Sequence, residues 1–151
     1  MALVFRAQGD YEKALEYYGK DLAISERVLG TEHPSTATTY NNMAGVFHAQ
    51  GDYEKALEYY GKALDIRERV LGTEHPDTAT TYNNMAGVFR AQGDYERALE
   101  YYEKALAVFK MKLGEAHPYT QDTQMSVQIM ELLIDLGINE EQLMELIKQK
   151  L

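Results

Sequence analysis

The side chains best suited to chemistry are few, and their spacing is regular. His33, His75 and His117 stand 42 residues apart, and each is followed by proline. Histidines can ligate a metal, but the ligands must converge within ~2 Å of one ion. Equivalent residues in neighbouring helical layers lie about 10 Å apart. These histidines are therefore expected to pack or hydrogen-bond near helix starts, with Glu32 and Glu74 as acids favoured by a helix N-terminus. Ser25, Ser35 and Ser126 are the only serines, and none has a recognisable base partner. There is no Gly-rich phosphate loop, no His-Glu-x-x-His and no Gly-x-Ser-x-Gly. Zero cysteines exclude a thiol nucleophile, a thiolate metal site and a disulfide framework. The expectation is a non-enzyme, with neither metal nor cofactor.

A second set of residues suits recognition. Thr38, Asn41, Asn42, Gly45 and His48 point off an apolar helical stripe. They recur as Thr80, Asn83, Asn84, Gly87 and Arg90, and Arg6 aligns with His48 and Arg90. Asparagine can bond both the N–H and the C=O of an extended peptide, and arginine can fork onto a carboxylate. Asn41–Asn42 and Asn83–Asn84 can equally bridge neighbouring helices. Gly45 and Gly87 each cost roughly 1 kcal/mol against alanine inside a helix. They either admit a neighbouring backbone or deepen a groove. Gly19 and Gly61 carry the same cost without a clear role.

The elements that hold these residues follow from an internal repeat. Residues 36–77 and 78–119 agree at 30 of 42 positions, and residues 1–35 agree with 43–77 at 29 of 35. All three prolines occupy one repeat position, and eleven of the twelve tyrosines are periodic, Tyr119 being the exception. Each unit predicts two helices. The first spans Ser35–Gln50 and again Asp77–Gln92, with Tyr40, Met43, Ala44 and Phe47 as its apolar stripe. Gly51 predicts a left-handed stop and Asp52 a cap for the next helix, Tyr53–Leu71. That helix carries Ala56, Leu57, Tyr60, Ala63, Leu64, the stem of Arg67, Val70 and Leu71. In the tyrosine pairs the second member, such as Tyr60, is expected in the core. The first is expected toward the groove or the neighbouring hairpin. Helix Gln121–Leu136 follows, then Asn139 capping Glu140–Leu151, with Leu143, Leu146, Ile147 and Leu151 on one side.

One helix pair cannot bury its apolar face alone, so stacking is required. The fold class is all-α, a right-handed superhelical solenoid of antiparallel helix hairpins. It reads as a single domain, 1–151. Residues 1–34 are a truncated first repeat, 35–76 the second, 77–118 the third, and 119–151 a divergent C-terminal helix pair acting as a cap. The chain begins inside a helix, as though cut from a longer array.

Net charge is −9, from 15 Lys+Arg against 24 Asp+Glu. This argues against nucleic-acid and anionic-membrane partners. No apolar run approaches the ~20 residues of a membrane span. A soluble, cytoplasmic protein is expected. The acid is unevenly spread: Ser35–Gln50 has no charged side chain beyond His48, and Asp77–Gln92 only Asp77 and Arg90. Most negative charge lies on the second helices and the loops.

The residues Tyr40, Met43, Ala44, Phe47, Ala56, Tyr60 and Ala63, with Tyr82, Met85, Ala86, Phe89, Ala98, Tyr102 and Ala105, resemble the tetratricopeptide pattern. The 42-residue period, Leu-Gly-Thr-Glu-His-Pro and Thr-Ala-Thr-Thr-Tyr-Asn-Asn-Met-Ala are similar to the subfamily found in kinesin light chain. The resemblance covers about residues 1–120. It departs at Asp21, where later copies have Ala63 and Ala105. It implies that the first helices line a concave groove. Family members that grip acidic peptide ends use an asparagine matching Asn42 and Asn84, together with Lys and Arg. The family's lysine is replaced by Asn41 and Asn83, which implies a looser groove.

Two functions follow as expectations. The first is a protein-interaction scaffold binding an extended, neutral-to-acidic peptide through Thr38, Asn41, Asn42, His48, Thr80, Asn83, Asn84, Arg90 and Arg6. Asn84→Ala or Arg90→Glu should then weaken binding. The alternative is a structural or self-assembling module without a ligand, engineered or recently duplicated. In either case the truncated N-terminal hairpin is expected to pair with another copy of the chain.

Overall fold

The computed structural model describes all 151 residues as eight helices without a strand. They are α1 (Ala2–Ala7), α2 (Tyr11–Val28), α3 (Pro34–Ala49), α4 (Tyr53–Val70), α5 (Pro76–Ala91), α6 (Tyr95–Leu113), α7 (Pro118–Leu136) and α8 (Glu140–Lys150). Local chemistry sets each boundary. The first helices begin at the proline, whose missing N–H costs nothing at that position. His33, His75 and His117 are the residues that cap them. Each Nδ1 accepts from the backbone N–H two residues on, at 3.1, 3.0 and 3.1 Å. Asp52 does the same for α4, accepting from the Lys55 N–H at 3.2 Å. Gly51, at φ 78°, reverses the chain between them, and the Asp52 N–H returns to the Phe47 carbonyl at 2.9 Å.

Within each unit the two helices pack closely, α3 on α4 and α5 on α6, and α7 packs on α6. The stack is a right-handed solenoid of antiparallel hairpins. Its main core runs through Ala44, Tyr60, Met85, Phe89, Tyr102, Leu106, Val127 and Met130, and thus through five consecutive helices. Alanines at 0% exposure (Ala44, Ala56, Ala86, Ala98) let the helices approach. The second tyrosine of each pair is buried, as expected. The first packs within its own hairpin, Tyr59 on Tyr40 and Phe47, and Tyr101 on Tyr82 and Phe89.

Both ends differ from the middle. The short α1 covers only part of α2, so Asp21 is exposed where Ala63 and Ala105 are buried. An aspartate is therefore accommodated without an internal partner. At the other end Asn139 and Gln142 form a reciprocal capping box for α8. No residue of α8 is buried. Leu143 and the preceding Ile138 pack against the core, while Leu146, Ile147 and Leu151 stay exposed. The end of the core is thus covered by α7, and α8 only leans on it.

Candidate functional site

The residues expected to meet a peptide sit on α3 and α5, with Arg6 on α1, and their partners sort them into distinct structural roles. Asn41 and Asn83 are bridges. Asn41 Oδ1 accepts from the Thr81 hydroxyl at 3.4 Å and from Asn84 Nδ2 at 3.3 Å. Asn83 Oδ1 accepts from the Thr123 hydroxyl at 3.2 Å. Each fastens its helix to the first helix of the next unit. Asn42 makes no side-chain hydrogen bond within the protein and is half-buried, and Asn84 keeps its Oδ1 unengaged. Thr38 and Thr80 return their hydroxyl protons to the carbonyls of Pro34 and Pro76, at 3.1 and 3.0 Å.

The basic column interlocks with the glycine column. The Arg6 guanidinium lies against Gly45, so close that a Cβ there would meet its Nη2 at 2.9 Å. His48 lies against Gly87, with Cε1 at 3.7 Å from that Cβ position. The glycines therefore admit a side chain of the preceding unit. Burial holds the His48 pKa below the usual imidazole value, and the Arg6 charge lowers it further. Arg90 breaks the series. Its Nε donates to Glu140 Oε1 at 2.6 Å and its Nη2 to Oε2 at 3.2 Å. This forked bond raises its pKa further. Arg90 is thus spent on holding α8, and Arg6 is the one exposed guanidinium of the column.

Arg67 lies on the apolar stripe as expected for its stem, and its guanidinium is enclosed as well. It is 6% exposed and has no carboxylate within ion-pair distance. Its Nη1 donates to the Asp77 carbonyl at 3.1 Å and to the Thr81 hydroxyl at 2.8 Å, and its Nη2 to the Thr38 hydroxyl at 3.4 Å. Burial lowers its pKa, with the Asp77 charge opposing. A guanidinium from α4 therefore threads between α3 and α5. The register varies between copies, reading Ser25, Arg67 and Phe109, inside a stretch where 107–112 differs from 65–70 at every position. Between α5 and α7, where Phe109 stands, a cavity of about 330 Å³ opens beside Thr80, Asn83, Asn84, Asp122 and Thr123. Nowhere do three His, Asp or Glu side chains gather as a metal site would need.

Comparison with known proteins agrees with this architecture. The sequence profile of the tetratricopeptide repeat family matches residues 1–69 and 35–111. The structure of BtubC (BKLC) from P. vanneervenii superposes with a TM-score of 0.78 at 29% identity, over 85% of this chain and 52% of that one. A putative kinesin light chain of Podosopora anserina with nearly identical TPR-like repeats superposes with a TM-score of 0.70 at 24% identity, over 98% and 69% of the two chains. A 44-residue stretch is 46% identical to the Clustered mitochondria protein of Arabidopsis thaliana. That stretch is 29% of this chain, and it spans only 3% of that protein.

Proposed function

Because the chain belongs to the tetratricopeptide repeat family, we propose that it is a non-catalytic, cytoplasmic interaction scaffold binding an extended, neutral-to-acidic peptide along its first helices. The observation that carries this reading is the sorting of the asparagines. Asn41 and Asn83 are engaged between helices, while Asn42 and the carbonyl of Asn84 are left to meet a peptide backbone. Thr38 and Thr80 flank them, and His48 supports the surface as a neutral ring. Arg6 supplies the cation for an acidic side chain of the ligand. Arg90, engaged by Glu140, contributes by fixing α8.

Selection from a random displayed-peptide library tests the reading. Arg6→Glu and Asn42→Ala are each expected to weaken the selected peptides, by about tenfold where one charge-assisted bond is lost. Peptides indifferent to both changes would overturn it.

Self-association is a second reading, favoured by the exposure of Leu3, Val4, Ile24 and Val28 at the N-terminal end. Exposed apolar side chains at one end of a stack suit pairing with a second copy. Light scattering that reports a strict monomer at millimolar protein would count against it.

A further inference from the structure

Two successive interfaces between first helices share a threonine–asparagine cradle and differ, among other positions, at three registers that surround it. Where α3 meets α5, the registers are held by Arg67, Asp77 and Thr80. Where α5 meets α7, they are held by Phe109, Tyr119 and Asp122. The remaining cradle is retained, with Thr80 for Thr38, Asn83 for Asn41 and Thr123 for Thr81. The first interface shows what its cradle takes: a guanidinium donating to two threonine hydroxyls and one backbone carbonyl.

In the second interface the hydroxyls are held the same way but receive no such donor. Thr123 donates to Asn83, and Thr80 to the Pro76 carbonyl. A hydroxyl that donates still has lone pairs to accept with. Phe109 is 2% exposed and turns into the apolar cluster of Ala79, Tyr82 and Ala105, against the Tyr119 ring. Having no polar end, it leaves the groove side of the cradle open as the 330 Å³ cavity. Asp122 adds a carboxylate that the first interface lacks. Its side chain makes no ion pair or hydrogen bond, and only its backbone carbonyl is engaged, by Ser126.

We propose that this cavity is an arginine pocket. The guanidinium of an arginine on the bound peptide takes the place that Arg67 fills from within one repeat earlier. Asp122 supplies the counter-charge, Thr80 and Thr123 the acceptors, and Phe109 with Tyr119 a ring surface for the planar cation. A lysine ammonium fits less well, because it cannot fork between acceptors on two helices. The inference rests on the peptide-groove reading and gives the ligand polarity. An acidic residue lies toward Arg6, and an arginine lies between α5 and α7.

The test uses the whole chain and Nα-acetyl-arginine N-methylamide as probe, followed by amide chemical shifts in NMR. Saturable shifts centred on Thr80, Asp122 and Thr123 are expected. Asp122→Asn should weaken the probe about tenfold, and the citrulline analogue should not bind. Phe109→Arg should abolish binding by supplying an internal guanidinium. The same register accepts arginine at position 67, and circular dichroism checks that the variant folds. Absence of saturable shifts at these residues, equal binding of the lysine analogue, or indifference to both substitutions would overturn the pocket. The two readings fail separately. Library peptides sensitive to Arg6→Glu but indifferent to Asp122→Asn and Phe109→Arg retain the groove and remove the pocket. Probe binding as expected, with no library peptide bound, retains the pocket and removes the groove.

Discussion

Arg67 sits in a balance between desolvation and hydrogen bonding. A buried cation without a carboxylate is costly, and three acceptors on α3 and α5 offset that cost. Arg67→Ala should destabilise the chain by about 2–4 kcal/mol, through the cavity it leaves and the three hydrogen bonds it removes. Arg67→Phe installs the residue that the following unit already uses, and should cost less than about 1.5 kcal/mol. Urea unfolding of the two variants makes the comparison. The residue type was plain in the sequence, but its partners lie 10, 14 and 29 positions away on neighbouring helices. Only the packed helices bring them together.

Two tyrosines carry a testable pH dependence at the same scale. Tyr40 donates to Glu26 and Tyr82 to Glu68, each at 2.6 Å. Burial first, and then the carboxylate, push the Tyr40 pKa from 10.0 up to about 12 and raise that of Tyr82 as well. The folded state therefore holds these protons after the unfolded chain has released them. Their stabilisation is complete below pH 10 and is lost as the pH climbs toward 12. Unfolding free energy measured across that window should fall, and Tyr40→Phe should flatten the slope.

Among the elements, those bounded by local signals were the legible ones. His-Pro starts, aspartate caps and left-handed glycines act within a few residues, so the repeat helices fall within one position of expectation, while α7 begins at Pro118, three residues before the expected Gln121. What the helices do to one another was less accessible. The asparagine pairs divided: Asn41 and Asn83 accept from Thr81 and Thr123 on the next first helix, whereas Asn42 makes no side-chain hydrogen bond and Asn84 donates to Asn41 but leaves its Oδ1 open. Interior glycines fall into two kinds. Gly19 and Gly61 face open space, so alanine there should stabilise by up to ~1 kcal/mol. At Gly45 the gain should be smaller, because the Arg6 guanidinium must move. Thermal melts of Gly61→Ala and Gly45→Ala distinguish them. The attachment of α8 depends on few contacts: the Arg90–Glu140 fork, a 3.3 Å bond from the Glu140 N–H to the Tyr95 hydroxyl, and the packing of Leu143. Arg90→Glu should speed amide exchange within 140–150 about tenfold or more while leaving α3–α6 unchanged. Any loss of ligand binding in that variant therefore reports on α8 as well as on the groove.

For the whole molecule, the net charge of −9 comes from the acidic loops and from α7 and α8, while acids and bases balance on the second helices; a net charge this far from zero favours solubility. The recognition face is close to neutral, with Arg6 free, Arg90 paired and His48 held neutral by its surroundings. The period of 42 made the solenoid readable, since a repeated hairpin must stack to bury its face. Identity between copies also concealed where they differ in use, because a periodic pattern draws attention to what recurs. The register of Ser25, Arg67 and Phe109 works as a switch between a plug and a socket. The threonines and bridging asparagine of the cradle are kept from one junction to the next, and the side chain at this register is what fills the first cradle from within. An array of such units can therefore be lengthened by duplication and rewritten one letter at a time, without disturbing the frame that holds the letters.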